Sequence, residues 1–118
     1  MKAHLVKIFY VEAAHSNPAG GDAPGRLHGH SYKIEILASG TPSDDLGWVI
    51  DYGDIKRRFV PFIEELDHSH LNTVPGLESD TTVGAIEAWL LDRLGERPDW
   101  LDGVRVSIVG DLAYRPVR

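Results

Sequence analysis

The order of hydrophobic patterns along the chain is the feature that most constrains its fold. Residues 2–12, 27–38 and 103–109 alternate between apolar and polar positions, which is typical of half-buried β-strands. Between the second and third of these segments, apolar residues recur every three to four positions in two stretches, as in amphipathic helices. Further short strands are predicted at 48–51 and 112–117. Strands clustered before and after a pair of helices predict an α+β domain with a largely antiparallel sheet.

The predicted helices have recognisable ends. Asp51 is a candidate N-cap of the first helix, and Pro61 lies inside that helix, where proline is expected to kink or split it. Ser79 or Asp80 is expected to cap the second helix. Gly95 is expected to end it, because glycine tolerates the left-handed conformation found after many helices.

Composition limits the classes of protein to which the chain can belong. Its 118 residues, 42% of them hydrophobic, fit a single domain over residues 1–118. The net charge of −6 disfavours binding to nucleic acid or to an anionic membrane. The sequence contains neither a signal-peptide pattern nor an apolar run of membrane-spanning length, so we expect a cytoplasmic protein.

The absence of cysteine narrows the available chemistry. No disulfide, thiolate metal ligand or cysteine nucleophile can form in this chain. Any metal site must therefore use other donors, of which the six histidines are the obvious ones. Neutral imidazole binds zinc, nickel, copper and iron.

Three histidines are candidates for one metal site. His28 and His30 fall two residues apart in a predicted strand and so face the same side of the sheet. His15 ends the preceding strand and can return beside His28 through the Gly- and Pro-rich loop at 16–26. Catalytic zinc commonly takes three protein ligands and leaves a fourth position open. The alternative is that these are partly exposed histidines bonded to the backbone.

A second candidate site follows the first helix. Asp67 precedes His68, and a carboxylate that contacts an imidazole can orient it and raise its pKa for acid–base catalysis. The alternative is structural, because His68 and His70 near a helix C-terminus interact favourably with the helix dipole. Adjacency in sequence does not show that the two side chains touch.

Several segments together resemble the family of 6-pyruvoyltetrahydropterin and 6-carboxytetrahydropterin synthases. The matching segments are "EAAH" (12–15), "GRLHGHSYKIEI" (25–36), "GWVIDYGDIK" (47–56), "LDHSHLN" (66–72), "PGLESDTT" (75–82) and "YR" (114–115). The resemblance implies the T-fold, a four-stranded antiparallel sheet with two helices on one face. It also implies trimers that close a barrel, pairs of trimers that form a homo-hexamer, and active sites at the subunit interfaces.

The resemblance also implies the roles of individual residues. His15, His28 and His30 match the family's zinc ligands. Asp67 and His68 match an acid–base pair that moves protons, and Thr81 and Thr82 are expected to contact the pterin. In the family, zinc polarises the side chain of a reduced pterin triphosphate.

The sequence departs from the family pattern at three positions. Pro24 stands where the resemblance calls for a catalytic cysteine. Val83 follows the threonine pair, and Ile108 stands in the last long strand, where in both cases a glutamate is expected. Asp22 is an alternative base for the missing thiol, or a solvated loop residue. Asp111 is an alternative carboxylate for the pterin ring if the strand shifts its register.

Three functions follow from these observations. The first is a zinc-dependent carbon–oxygen or carbon–carbon lyase that acts on a dihydropterin, in the style of the family. The second is a non-catalytic T-fold protein that binds a pterin- or purine-like ligand, which would account directly for the missing cysteine. The third is a different reaction on a related substrate, since fold alone does not determine function.

Overall fold

A computed structural model describes residues 2–17, 25–42 and 50–110 of the chain. Its elements, in chain order, are β1 (Ala3–His15), β2 (His28–Gly40), α1 (Tyr52–Leu66), β3 (Ser69–His70), a 3-10 turn (Leu71–Thr73), α2 (Val83–Leu94) and β4 (Leu101–Ile108). The α+β class predicted from the sequence is confirmed. None of the helices in this part of the chain is long and apolar enough to cross a membrane.

The sheet has four strands in the order β3-β1-β2-β4, and it is mixed rather than antiparallel. β1 and β2 form a long antiparallel hairpin, and β4 pairs antiparallel with the other edge of β2. The two-residue strand β3 runs parallel to β1. The expectation of a wholly antiparallel sheet is therefore wrong at this edge, because β3 returns to β1 through α1 rather than through a hairpin.

The alternating pattern of the long strands produces one buried face. β1 buries its odd-numbered residues at its end, such as Val11, and β2 buries even-numbered residues such as Ile34 and Ile36. In this register each odd-numbered residue of β1 lies opposite an even-numbered residue of β2. Since residues directly opposite each other share a face, the two sets lie on the same side of the sheet. Both helices contribute to the core on that side, for example through Phe59 and Leu90.

The first helix begins and continues as its sequence pattern requires. Asp51 caps it by accepting a hydrogen bond from the Gly53 N–H at 2.8 Å, so the predicted N-cap is confirmed. Of the two predicted effects of Pro61, a kink or a split, the split does not occur, since one helix runs from Tyr52 to Leu66. Pro61 and Arg57, whose carbonyl loses its helical partner to the proline, both lie on the exposed side of the helix.

The second helix begins later than predicted. Thr82, not Ser79 or Asp80, is its N-cap, and the Thr82 side chain accepts from the Ala85 N–H. Asp80 instead accepts hydrogen bonds from the Thr82 N–H and hydroxyl. Gly95 ends the helix with a positive φ of 76°, as predicted.

The remaining strand predictions have mixed outcomes. β4 begins two residues before the predicted 103–109 segment, at Leu101. The predicted strand at 48–51 is not seen in its described part, where Ile50 is in a bend and Asp51 caps α1. Residues 112–117, predicted as a short strand, lie outside the described residues.

Candidate metal centre

His15, His28 and His30 converge at one end of the β1–β2 hairpin. His15 is directly opposite His28, and His30 is opposite Ala13. One ring nitrogen from each histidine can be chosen so that all three lie within 4.8 Å of one another. His15 Nε2 lies 3.0 Å from His28 Nε2. The convergence predicted from strand alternation and the intervening loop is confirmed.

Neighbouring groups orient two of these rings. His28 Nδ1 lies 2.7 Å from the Arg26 carbonyl oxygen, to which it donates a hydrogen bond, so the lone pair of the neutral ring is on Nε2. His15 Nδ1 lies 3.0 Å from Thr81 Oγ1 and 3.4 Å from the Tyr32 hydroxyl. A proton on His15 Nδ1 that is donated to Thr81 leaves the lone pair on Nε2, which faces the other rings. Metal-bound histidines are commonly held through their second nitrogen in this way.

Burial favours the neutral form of His15. The pKa of His15 is lowered below 6.5, chiefly because the ring is buried and also because His28 and His30 are close, while the contact with Thr81 opposes the shift. Burial raises the pKa of the Tyr32 phenol to about 12, so this hydroxyl stays protonated. His15 is therefore neutral at pH 7, the form in which imidazole binds a metal.

The donor set fits a zinc ion. Two nitrogens bound to one tetrahedral zinc at about 2.0–2.1 Å are roughly 3.3 Å apart. The 3.0 Å between His15 Nε2 and His28 Nε2 is close to this separation. Among the residues that the structure describes, the cluster contains three imidazoles and no fourth protein donor, which matches the pattern of a catalytic zinc site that keeps one position for water or substrate.

Asp67 and His68 do contact each other through their side chains. Asp67 Oδ2 lies 3.1 Å from His68 Nδ1, and Asp67 Oδ1 accepts from the Glu12 N–H at 2.8 Å. The Glu12 N–H, and to a smaller extent His68, lower the pKa of the Asp67 carboxyl. The His68 N–H donates to the Glu12 carbonyl at 2.6 Å, and His68 adopts a positive φ of 57°, which is uncommon for a residue with a side chain.

The Asp67–His68 pair lies at the same end of the sheet as the three histidines. An open pocket of about 460 Å³ is lined by His68, His30, Glu12 and Ser31, among others. Glu12 and Ser31 are on the strand positions that face away from the helices, and the Ser31 hydroxyl donates to the Glu12 carboxylate at 2.7 Å. His30 is the residue that the pocket shares with the histidine cluster.

Both threonines that were predicted to contact the pterin form hydrogen bonds with other residues of the chain. Thr81 is 3% exposed and contacts His15, while Thr82 caps α2. Direct contact of either residue with a pterin stays a prediction. Three predictions lie outside the described residues: the replacement of the catalytic cysteine by Pro24, and the alternative roles of Asp22 and Asp111.

Sequence reasoning missed three residues that support these sites. Tyr32 lies two residues after His30 on the same face of β2, so the strand period could have indicated its position beside the cluster. Glu12 donates its backbone N–H to the Asp67 carboxylate, and the Asn72 side chain accepts from the Ser16 N–H, so both join β1 to the segment after α1. Neither has a signal in sequence beyond its presence in the segments "EAAH" and "LDHSHLN".

The fold and the site define a T-fold protein with a three-histidine centre. A solved structure of 6-pyruvoyl tetrahydropterin synthase from Caenorhabditis elegans superposes on the chain with a TM-score of 0.78. The superposition covers 93% of this chain and 91% of that one at 18% identity, which supports the fold alone. The family model described as 6-pyruvoyl tetrahydropterin synthase matches residues 4–109. The chain belongs to this family.

Relatives within the family differ in the activity that their names record. A 6-carboxy-5,6,7,8-tetrahydropterin synthase of Synechocystis is 36% identical over 97 residues, covering 78% of this chain and 74% of the relative. A dihydroneopterin monophosphate aldolase of Pyrococcus furiosus is 29% identical over 94 residues, covering 80% of this chain and 76% of the relative. A pterin-related function follows from these matches, whereas the particular reaction does not.

Proposed function

We propose that the chain binds Zn²⁺ through His15, His28 and His30 and cleaves the side chain of a reduced pterin. The observation that carries the proposal is the convergence of three imidazoles at one end of the sheet, two of them with their ring nitrogens 3.0 Å apart. Membership of a pterin-synthase family supports the substrate class. The pocket beside His30, at about 460 Å³, is within the size range of small-molecule sites.

The metal and the Asp67–His68 pair would divide the chemistry between them. Bound zinc supplies Lewis-acid polarisation of an oxygen on the substrate side chain. The His68 imidazole, oriented through Nδ1 by Asp67, presents its Nε2 to exchange a proton with that side chain. The carboxylate keeps its charge because the Glu12 N–H stabilises it, and it therefore also stabilises the imidazolium formed when His68 accepts the proton.

The reaction that this chain can support does not use a thiol. No cysteine is present, so the proton transfers would go through His68, through water, or through Asp22 in place of the missing thiol. Carbon–carbon cleavage needs a proton removed from a side-chain hydroxyl and a proton returned to the carbon released from the broken bond. Carbon–oxygen cleavage needs a proton removed from a side-chain carbon, and the departing oxygen leaves with its substituent and takes up a proton where it needs one. The name of the Pyrococcus relative, an aldolase, shows that carbon–carbon cleavage occurs among similar proteins.

The second candidate is a binding protein without turnover. The observation that favours it is the absence of the expected cysteine and of a glutamate at Ile108, which together remove a proton-transfer group and a substrate anchor. Such a protein would keep the histidine centre and hold a pterin- or purine-like ring.

We also propose that the chain assembles as a homo-hexamer with sites at subunit interfaces. Support comes from the face of β1 away from the helices, where Val6, Ile8 and Tyr10 are 44%, 38% and 61% exposed. An aligned row of apolar side chains on a sheet face is typical of a surface covered by another copy. Sedimentation should give a mass near six times 13.1 kDa, and a monomeric mass would contradict the assembly.

Turnover and binding can be separated in one experiment. Zinc-loaded protein is incubated with dihydroneopterin triphosphate and monophosphate, and the products are resolved by chromatography. Cleavage that is lost in His28→Ala but kept in His70→Ala supports the lyase, since His70 is an exposed histidine outside the cluster. Calorimetric binding without cleavage supports the second candidate, and the absence of both contradicts a pterin function at this site.

A further inference from the structure

The side chain of Asn72 extends the pairing at the end of β1. β3 pairs with β1 through Ala13 and Ala14, and Asn72 follows β3 in the 3-10 turn. Asn72 Oδ1 accepts from the Ser16 N–H at 2.9 Å, and Asn72 Nδ2 donates to the Ser16 carbonyl at 3.1 Å. One primary amide thus satisfies both the donor and the acceptor of a single peptide residue, as a neighbouring strand would.

The pair of hydrogen bonds between Asn72 and Ser16 lies next to a candidate metal ligand. Ser16 directly follows His15, whose Nε2 is 3.0 Å from that of His28. Asn72 Nδ2 also lies 3.4 Å from the Glu78 carbonyl, in the segment that leads to Thr81. Thr81 in turn contacts the other ring nitrogen of His15. Asn72 therefore connects the backbone that carries His15 to the segment that holds its ring.

The geometry points to Asn72 as a positioning residue of the metal centre, an inference that rests on the proposed metal role of the three histidines. The site needs its ring nitrogens held within a fraction of an ångström, and His15 and His28 form the last pair of the hairpin, beyond which strand pairing no longer fixes the backbone. Anchoring Ser16 keeps His15 in line with His28 across the hairpin. Groups that orient a metal ligand typically change metal affinity by 10- to 100-fold when removed.

The amide is difficult to replace by another side chain. Aspartate has the same shape and can accept from the Ser16 N–H, but it cannot donate to the carbonyls of Ser16 and Glu78. Alanine removes all three hydrogen bonds. Asn72→Asp is therefore the variant that best keeps the packing, and Asn72→Ala is the more severe one.

Thr73 provides the matched control. It lies in the same 3-10 turn and its hydroxyl donates to the His70 carbonyl at 2.7 Å, so Thr73→Ala also removes a bond from this turn to backbone. Among the contacts of the described residues, none joins the Thr73 side chain to Ser16 or to Glu78. Destabilisation of the turn alone would affect both positions alike.

The test measures metal affinity and ligand geometry together. Zn²⁺ affinity is obtained by competition with a chelator, and the visible absorption of the Co²⁺-loaded protein reports the geometry of the ligands. We expect Asn72→Asp to weaken Zn²⁺ binding by about 10-fold and to alter the Co²⁺ spectrum. Thr73→Ala should leave both unchanged. Wild-type affinity and spectrum in Asn72→Asp, with only a lower melting temperature, would overturn the inference.

A measurement on the metal-free protein separates this inference from the proposed function. The ¹⁵N signals of the His15 ring report which nitrogen carries the proton and how well the ring is ordered. We expect these signals to change in Asn72→Asp and Asn72→Ala but not in Thr73→Ala. If wild-type protein binds no Zn²⁺ through His28, the proposed function fails. If the His15 signals are the same in all variants, the positioning role fails.

Discussion

The histidine cluster and the Asp67–His68 pair are built in different ways. His15, His28 and His30 come together because two long antiparallel strands place them in register on one face. Asp67 and His68 come together at a turn, where His68 has a positive φ and donates its N–H to the Glu12 carbonyl, while Asp67 accepts from the Glu12 N–H. Strand register constrains the first site and a few exposed hydrogen bonds constrain the second. Metal binding and proton transfer should therefore respond separately to mutation.

The largest effect is expected when a ligand is removed from the cluster. His28→Ala should abolish specific Zn²⁺ binding, more than about a 100-fold loss, because only two imidazoles remain. The assembly state should not change. Metal analysis of the purified variant and of His70→Ala, combined with sedimentation, tests this. Equal zinc content in His28→Ala and wild type would refute the ligand assignment.

Removal of His68, the proposed acid–base group, should not affect Zn²⁺ binding. We expect His68→Ala to reduce turnover by about 10²- to 10⁴-fold, the usual contribution of a positioned proton donor or acceptor. Zn²⁺ affinity should stay within the error of wild type because His68 is outside the three-ligand cluster. The kcat per bound zinc is the quantity to compare. A parallel loss of zinc would show that the two sites are not separable.

The neighbouring threonines offer a smaller and sharper contrast. Thr81→Val removes the hydroxyl beside His15 Nδ1 and should weaken Zn²⁺ binding by about 10-fold. Thr82→Val removes the α2 cap and should instead lower the free energy of unfolding by about 1 kcal/mol, with metal affinity unchanged. Chelator competition and urea unfolding on both variants measure the two effects. If Zn²⁺ binding were weakened in Thr82→Val and unchanged in Thr81→Val, Thr81 would be excluded as the group that orients His15.

The smallest expected effect is a pH dependence of stability in the metal-free protein. The folded pKa of His15 lies below the unfolded value of 6.5, chiefly because the ring is buried, so the unfolded chain binds the proton more readily. The stability that neutral His15 contributes is complete above pH 6.5. It declines as pH falls through the window between the unfolded and the folded pKa.

The slope of unfolding free energy against pH can be compared between wild type and His15→Gln. Wild type should lose more stability than the variant between pH 7.5 and 5. Parallel curves would mean that His15 is not protected from protonation in the folded state. Asp67 also has a lowered pKa, but its contribution is lost in a more acidic range because carboxyl groups titrate lower.

The parts of the fold that depend on local pattern were predictable. The long strands, the Asp51 cap and the Gly95 stop follow from alternation, helical period and end chemistry. The cap of α2 was not predictable, because Asp80, Thr81 and Thr82 are all suitable types. Tertiary contact decides among them: Thr81 is buried against His15, so Thr82 is left to cap the helix.

Strand β3 also could not be predicted from the local sequence. Ser69 and His70 have no strand pattern, since two residues are too short to show one. They pair with Ala13 and Ala14 only because α1 returns the chain to that edge of the sheet. The same return puts Asp67 within hydrogen-bonding distance of the Glu12 N–H, a contact across 55 residues that no local rule predicts.

The sequence by itself determined that His28 and His30 share a face, because side-chain direction repeats every two residues along any strand. It also determined that no thiol can take part, since the chain contains no cysteine. The return of His15 beside His28 was predicted, but only the tertiary structure decided that the two are directly opposite in register and that Thr81 contacts the other nitrogen of the His15 ring. Such contacts depend on register and on the path of the chain, which arise from the packing of the whole core rather than from neighbours in sequence.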